Sequence, residues 1–254
     1  MCDVTPLVYL SALFLSGQPA GTPPDTAYEP DTTYMSGNMR VYCWHSPRIT
    51  VIGVPDTLRF IFDGRNSATV DSVARREGLR CVVNGSFFDG VRGSAVHAGW
   101  LSLYGHRESA LKTDPELTHV VRLDGRARSI DYIPAASFTH AGDSGCIEFQ
   151  TGPLIVDGER IRRDLINASL NGLTGHARTL IASSGRHRLY LVSVPEPVTL
   201  LEIASRLLRL SVFRGGRLDV VNLDGGSSVA LYVRDIPGLN VNAGDRLPVL
   251  MGFP

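Results

Sequence analysis

The distribution of apolar and polar residues predicts a chain of short β-strands with two helices. The clearer helix is predicted over 199–210, where apolar side chains recur at helical spacing and Thr199 and Glu202 form a capping box. A second helix is predicted over 67–78, where a narrower apolar stripe ends at Gly78, a residue that suits a helix end. Both helices are expected to pack one face against β-structure.

Alternating segments predict three antiparallel hairpins. Their turns are expected at Asp124-Gly125, Asp157-Gly158 and Ser184-Gly185, because glycine adopts the positive φ angles of tight hairpin turns. Two further strands, 79–85 and 218–223, each follow one of the predicted helices. Since strand ends often carry ligand-binding groups, we expect these two ends to meet at one cleft.

Composition restricts the function classes. The chain has 254 residues, of which 43% are hydrophobic and 20% charged, and its formal net charge is +0. These values are typical of a globular protein and give no electrostatic footprint for nucleic acid. No stretch reaches the roughly 18 apolar residues of a membrane span. We therefore expect neither a nucleic-acid partner nor an integral membrane span.

The first 38 residues differ from the rest. Residues 6–15 have the length of a signal-peptide core, but Asp3 stands where a positive charge is usual. A signal peptide and a mature segment therefore both stay open, and export to the periplasm or medium is the expectation. Residues 21–38 are rich in Pro, Thr and Asp and are interpreted as a linker. The predicted division is 1–38 as leader and linker, and 39–254 as one catalytic domain.

The four cysteines show no metal-binding pattern. They have no CxxC spacing and no histidine cluster nearby, so we do not expect a zinc site. The sequence also leads us to predict no other metal site and no cofactor. A disulfide among the last three would suit an exported protein, with its pairing left open. The cysteines are Cys2, Cys43, Cys81 and Cys146.

The most informative stretch is "VVNLDGGSSVAL", residues 220–231, where polar residues and two glycines interrupt an apolar run. Glycines let a ligand approach the backbone, and consecutive N–H groups can hold an oxyanion. A carboxylate beside them suits sugar hydroxyls, a proton or a cation. The alternative is a tight hairpin turn without a ligand.

Five segments together resemble the phosphodiester glycosidase family. They follow the order of the family's motifs and span roughly residues 39–254. The segments are "CVVNGSFFD" (81–89), "EFQTGPLIVDGE" (148–159), "HARTLIA" (176–182), "VTLLEIASRLL" (198–208) and "VVNLDGGSSVALYV" (220–233).

The resemblance implies an α+β fold: a single domain whose mixed, mainly antiparallel central β-sheet is flanked by helices. It also implies a hydrolase that cleaves a sugar-1-phosphodiester, of N-acetylglucosamine type, on the sugar side. A carbohydrate phosphodiester of a glycan or cell-envelope polymer would be the substrate. Matching positions nominate catalytic residues and substrate-binding residues. The catalytic ones are Asp224, Asn84 and Arg178, and the binding ones are Asn222, Gly225, Gly226, Ser227, Ser228, Thr179, Gln150 and Gly152.

The implied roles follow from side-chain chemistry. Arg178 would bind phosphate oxygens as a bidentate fork, and the amides of 225–228 would complete the anion site. Asn84 and Asn222 would contact sugar hydroxyls or an N-acetyl group. Asp224 would act as general acid or base, or stabilise an oxocarbenium-like transition state.

Parts of the sequence are compatible with two other functions. A domain of this fold could bind glycan phosphates without turnover. Ser227 stands where the family often has glycine, which leaves the substrate preference open. "GDSG" (142–145) is similar to the nucleophile segment of trypsin-like serine proteases, with His97 as the base and Ser144 as the nucleophile. Their separation is too short for that fold, and Cys146 replaces the glycine that should follow, so the protease reading is disfavoured.

Overall fold

The structure of the chain, a computed structural model, consists mainly of antiparallel β-strands in a single domain. The described residues are 27–36, 38–55, 58–62, 69–91, 94–124, 129–185, 188–242 and 247–254. Within them the helices are α1 (Val70–Glu77), α2 (Arg163–Ala168) and α3 (Leu200–Leu207).

The strands are short and distributed along the whole described chain. In chain order they are β1 (Thr32–Ser36), β2 (Met39–His45), β3 (Arg48–Gly53), β4 (Arg59–Phe62), β5 (Cys81–Asn84), β6 (Phe88–Val91), β7 (Ser94–His97), β8 (Leu101–Leu103), β9 (His106–Ser109), β10 (His119–Asp124), β11 (Ile130–Pro134), β12 (Cys146–Thr151), β13 (Leu154–Asp157), β14 (Arg160–Ile161), β15 (His176–Ser184), β16 (Arg188–Val198), β17 (Leu218–Asn222), β18 (Leu231–Val233) and β19 (Val249–Phe253).

These strands form several sheets rather than one. The largest has the order β1-β2-β3-β16-β15-β17-β13-β14, a second has β11-β10-β12-β8-β9, and a third has β18-β5-β19-β4, while β6 and β7 form a two-stranded ribbon. All strand pairings among the described residues are antiparallel. The expected single mixed sheet flanked by helices is therefore corrected to several antiparallel sheets with few helices. Local periodicity predicts strands, but partner choice depends on distant residues.

The eight-stranded sheet is buried on both faces. On β15, Leu180 and Ala182 pack with α3, whereas Ile181 packs toward the other two sheets. On β17, Val220 likewise packs with α3 and Val221 packs toward the other two sheets. Successive strand residues point to opposite faces, so a sheet covered on both sides needs the uninterrupted apolar runs seen in this sequence.

The two predicted helices are confirmed, with shorter bounds. In α3, Thr199 Oγ1 accepts from Glu202 N at 3.1 Å, and the Glu202 side chain accepts from Thr199 N at 2.9 Å. This is the expected capping box. Helix α1 ends at Gly78, which has φ 68° and caps the helix. Residues 67 and 68 of its predicted start lie outside the described residues.

The three predicted hairpins are confirmed as strand pairs. β10 pairs with β11, β13 with β14, and β15 with β16. Gly158 and Gly185 have positive φ angles, as tight turns require. Gly125 of the first turn lies outside the described residues.

The ordered sheet begins before residue 39. β1 pairs along its whole length with β2, from Thr32 opposite Cys43 to Ser36 opposite Met39. Residues 32–36, expected to belong to a linker, are thus an edge strand. A composition rich in Thr and Pro favours a linker, but alternate side chains of this segment are partly buried, as in an edge strand.

Two further expectations concern cysteines and membrane spans. Cys43, Cys81 and Cys146 are free thiols, so the disulfide considered among them is not formed. Cys43 and Cys81 are buried, and each behaves as a small apolar core residue. In the described part of the chain, no helix has the length and apolar character to cross a membrane.

Candidate functional site

The ends of β5 and β17 meet, although the two strands belong to different sheets. Asn84 Nδ2 donates to the backbone oxygen of Asp224 at 2.7 Å, and Asp224 N donates to the oxygen of Gly85 at 3.1 Å. The expectation that these strand ends converge is confirmed. Gly225 allows the contact with β15, because a Cβ there would lie 2.7 Å from the Ala177 oxygen.

A pocket opens where these strand ends meet. It has a volume of about 130 Å³, and Arg178, Asn222, Asp224, Gly225 and Gly226 line it together with Phe87, Glu116, Asn171 and His176. Pockets that enclose whole drug-sized ligands are about 300–1,000 Å³, so this one accepts part of a ligand. Larger clefts lie elsewhere, but this one contains the nominated residues.

Asp224 carries the most perturbed carboxyl group of the pocket. Its Oδ1 accepts from Gly225 N at 2.8 Å, and the Ser228 hydroxyl also hydrogen-bonds the carboxyl group. Burial raises the pKa of Asp224 from 3.8 to about 6, and these hydrogen bonds offset only part of that rise. The carboxyl group therefore changes protonation state close to neutral pH.

Arg178 and Thr179 are adjacent in sequence but face opposite sides of β15. Thr179 Oγ1 donates to Asn84 Oδ1 at 2.5 Å. On the other face, Arg178 Nε donates to Val198 O at 3.2 Å, and its Nη2 donates to the oxygens of residues 171 and 174 at 2.7 and 2.8 Å. Two of its three nitrogens are therefore used by the protein.

This arrangement changes the role expected for Arg178. Its side chain is 3% exposed, and desolvation lowers its pKa to about 10, partly offset by Glu116. Nη1 has no hydrogen-bond partner among the described residues. A phosphate would therefore meet one guanidinium nitrogen rather than the bidentate fork that the sequence suggested, and the side chain stays charged at neutral pH.

Asn84 lies behind the pocket rather than on its wall. Its side chain is 1% exposed, and its Oδ1 accepts from Thr179 and from Ala230 N, while Nδ2 holds Asp224 O. The amide thus joins three chain segments. The expected contact between Asn84 and a sugar is replaced by a positioning role for the Asp224 turn.

Asn222 lies on the pocket wall and is held by the segment before β13. Its backbone oxygen accepts from Thr151 Oγ1 at 2.8 Å and from Gly152 N at 3.2 Å. Its Nδ2 donates to Gly152 O at 3.1 Å. Its Oδ1 is buried without a hydrogen-bond partner in the described part of the protein.

Gln150 and Gly152 are also structural. Gln150 is fully buried, and its amide makes four hydrogen bonds to backbone atoms of residues 100, 112 and 117. Gly152 has φ 151°, and a Cβ there would lie 2.8 Å from Glu116 O. Neither residue lines the pocket. They hold the backbone segments that position Asn222 and Glu116.

The Gly-Gly turn provides fewer free amides than expected. Residues 226–228 form one 3-10 turn, and the amides of Ser228 and Val229 donate to the oxygens of Gly225 and Gly226. The Gly225 amide binds Asp224. The amides of Gly226 and Ser227, which have no partner among the described residues, are what is left for an anion, and the Ser227 side chain is exposed.

Sequence reasoning missed Glu116. Its carboxylate accepts from the Ser169 hydroxyl at 2.8 and 2.9 Å and from Asn171 N at 3.0 Å. It thereby fixes the loop whose carbonyls also hold Arg178, and it places a second carboxylate at the pocket. The surrounding "KTDPELTH" has no local pattern that indicates this role, because the contact depends on Gly152 and the loop after α2.

The serine-protease alternative is not supported by the geometry. His97 Nε2 contacts the Ser86 hydroxyl at 2.5 Å, whereas Ser144 is exposed on a loop next to Gly105. Both Ser86 and His97 are buried, and burial lowers the pKa of His97 to about 4. The histidine is a neutral core residue that joins two segments.

No group of three or more His, Cys, Asp or Glu side chains with suitable placement occurs among the residues described. Asp224 and Glu116 are the carboxylates lining the pocket.

Solved structures with the same fold come from distant organisms. The catalytic domain of zebrafish N-acetylglucosamine-1-phosphodiester α-N-acetylglucosaminidase, auto-inhibited by pro-peptide, is 15% identical; the match covers 84% of this chain and 77% of that one, with a TM-score of 0.59. A Burkholderia pseudomallei protein whose name marks it as a candidate for export is 12% identical, with 82% and 74% covered and a TM-score of 0.60.

A Synechocystis protein of unassigned function is 14% identical over 87% of this chain, with a TM-score of 0.53, and this chain spans 60% of it. At these identities the likeness establishes the fold. Among curated protein sequences, none matches the chain significantly. The phosphodiester glycosidase profile, however, matches residues 77–252, which is more than half of the chain and includes every residue of the pocket. The chain belongs to the phosphodiester glycosidase family.

Proposed function

We propose that this protein is a hydrolase that cleaves the glycosidic bond of an α-linked sugar-1-phosphodiester. The observation that carries the proposal is the pocket that holds Asp224, Arg178 and Asn222 together. Family membership supports the reaction class. The zebrafish neighbour's name supports an N-acetylglucosamine-type sugar, and a glycan or cell-envelope polymer would supply the phosphodiester.

Asp224 handles the proton of the reaction. A phosphate group has a second pKa of about 6 and leaves readily without full protonation. The step that needs help is therefore the attack of water on the anomeric carbon. Asp224 accepts a proton from that water, the new bond joins the water oxygen to the carbon, and the bond from carbon to the phosphate oxygen breaks with its electron pair on phosphate. A pKa of about 6 suits a base at neutral pH.

Arg178 binds the phosphate side of the substrate. Its Nη1 is the guanidinium nitrogen that has no partner in the described ranges, and its pKa of about 10 keeps it charged at neutral pH. The Gly226 and Ser227 amides add neutral donors on the Gly-Gly turn. Together these groups stabilise the negative charge that develops on the departing phosphate ester.

The remaining nominated residues act through others. Asn84 and Thr179 hold the backbone of Asp224, and Gln150 and Gly152 hold the segment that carries Asn222 and neighbours Glu116. Ser228 hydrogen-bonds the Asp224 carboxyl group. These are positioning residues.

The test follows the position of bond cleavage. The protein is incubated with α-N-acetylglucosaminyl methyl phosphate in ¹⁸O-labelled water, and the products are analysed by mass spectrometry. The label should enter the sugar, and Asp224→Asn should lower kcat by about a thousandfold or more. Asp219→Asn, on the same strand but paired with Arg217, should stay within about threefold of the parent.

Label in the phosphate, or full activity of Asp224→Asn, would contradict the proposal. Binding of the diester without any turnover would instead favour a glycan-phosphate-binding domain.

We also propose that the chain is exported, with residues near the N-terminus serving as leader. The support is the apolar run 6–15 and the name of the Burkholderia neighbour. The catalytic domain then extends from the edge strand β1 to the end of the chain. Sequencing the N-terminus of the protein recovered from the periplasm or medium tests export; recovery only from the cytosol, with residues 1–20 retained, would contradict it.

A further inference from the structure

One residue that lines the pocket has a buried acceptor without a partner among the described residues. Asn222 is 2% exposed, lines the pocket, and leaves Oδ1 unpaired among the described residues. A buried carbonyl oxygen without a hydrogen bond costs about 1–3 kcal/mol, and most native proteins pair such atoms. At a pocket wall, the absence of a protein partner indicates a partner from the ligand.

The chemical identity of this atom follows from its neighbours. The other end of the Asn222 amide lies 3.1 Å from the backbone oxygen of Gly152, which only accepts hydrogen bonds. That end must therefore be the NH₂ group, and the free end must be the oxygen. Every other polar group of Asn222 is occupied by residues 151–153. The group that meets Oδ1 must therefore be a donor.

A phosphodiester cannot supply this donor. At neutral pH its oxygens only accept hydrogen bonds, so they belong at Arg178 Nη1 and the turn amides. Asn222 lies two residues before Asp224, the residue that we place at the anomeric carbon. The donor nearest to that carbon on a sugar is the substituent of the adjacent ring carbon, C2.

We propose that Asn222 Oδ1 accepts a hydrogen bond from an N–H or O–H group at C2 of the sugar and that this contact determines specificity. The inference rests on the proposed function, because it uses Asp224 as the reacting position. The site then selects 2-acetamido and 2-hydroxy sugars over sugars with no donor at C2. It also orients the substrate, with its sugar toward Asn222 and its phosphate toward Arg178.

The experiment compares ratios rather than rates. Methyl phosphodiesters of 2-hydroxy, 2-acetamido and 2-deoxy sugars are assayed with the parent protein and with Asn222→Ala. The intrinsic reactivity of each sugar cancels when the two proteins are compared. The preference for the donor-bearing sugars, measured as kcat/KM, should fall by about tenfold or more in Asn222→Ala.

Two variants serve as controls. Asn222→Asp keeps an acceptor at this position and should retain the preference, even if anionic substrates react more slowly. Thr151→Val removes the hydrogen bond to the Asn222 backbone but leaves Oδ1 in place, so its ratio should equal that of the parent. An unchanged ratio in Asn222→Ala would overturn the inference and indicate that Oδ1 meets only water.

A binding measurement separates this inference from the proposed function. Non-cleavable C-glycosidic phosphonates, with and without a 2-hydroxyl group, are titrated by calorimetry. If no diester is hydrolysed but the 2-hydroxy phosphonate binds about tenfold more tightly, and Asn222→Ala removes that difference, the specificity contact stands while the catalytic proposal fails. Equal affinities of the parent for both phosphonates would refute the contact.

Discussion

The two strand ends that build the site carry the same residue in different states. Asn84 and Asn222 are both at strand ends and are 1% and 2% exposed. The amide of Asn84 is paired at both ends, to Asp224, Thr179 and Ala230. Within the described part of the chain, the amide of Asn222 is paired only through its nitrogen. These residues therefore satisfy every donor and acceptor at the first strand end and leave one acceptor unsatisfied at the second.

This difference shows that burial alone does not distinguish a structural residue from a binding residue. What distinguishes them is whether the protein itself satisfies every donor and acceptor. Asn84 holds the backbone that carries Asp224, so its loss should affect folding. Asn222 has an unused oxygen beside the reacting position, so its loss should affect recognition.

The largest expected effect in this comparison is on stability. Asn84→Ala leaves Asp224 O, Ala230 N and the Thr179 hydroxyl without their partner and should lower the free energy of unfolding by about 3 kcal/mol. Asn222→Ala removes one hydrogen bond and an oxygen that is already unpaired, so it should cost only about 1 kcal/mol. Urea denaturation of both variants at pH 7 measures the difference. Equal losses would contradict the division of roles.

A somewhat smaller effect is expected at Asp224, with a defined pH dependence. The unfolded chain loses this proton near pH 4, whereas the folded protein keeps it to about pH 6. Between these values the folded state binds more protons, so stability falls as pH rises through this window. Above pH 6, Asp224→Asn should be more stable than the parent by about 2 kcal/mol, since it avoids a half-buried, desolvated charge.

Thermal or urea unfolding at pH 4 and pH 8 tests this prediction. The stabilisation should be present at pH 8 and much smaller at pH 4, where the folded parent keeps the proton of Asp224 and the unfolded chain has lost it only in part. If the variant is less stable than the parent at pH 8, the ionised Asp224 side chain does not lower the free energy of unfolding, and the prediction is wrong.

Much of the local structure could be predicted from sequence. Helix α3 follows from Thr199, Glu202 and its apolar stripe, and the hairpins follow from glycine turns between alternating segments. The convergence of the strand ends at Asn84 and Asp224 also follows from the two similar helix–strand units. The division into several sheets does not follow from the sequence, because the partners of β5 and β12 lie far away in sequence and leave no local signature.

The roles of individual side chains were harder to predict. Arg178 matches a phosphate-binding residue in type, but the carbonyls of residues 171, 174 and 198 occupy two of its nitrogens. Glu116 has no sequence motif and reaches the pocket only through tertiary packing. The donors and acceptors that a side chain has left over depend on the folded backbone, which residue type alone does not specify.

The central claim is that Asp224 takes a proton from water in this pocket, and the most direct measurement is the pH dependence of kcat/KM for an α-N-acetylglucosaminyl methyl phosphate. The diester keeps one charge across the range, so the profile reports protein groups. We predict a rate that rises with pH, levels off above about pH 6 and keeps this shape in His176→Asn, which removes the pocket's histidine. A rate that falls as pH rises through 6, or one that shows no inflection there, would contradict the account.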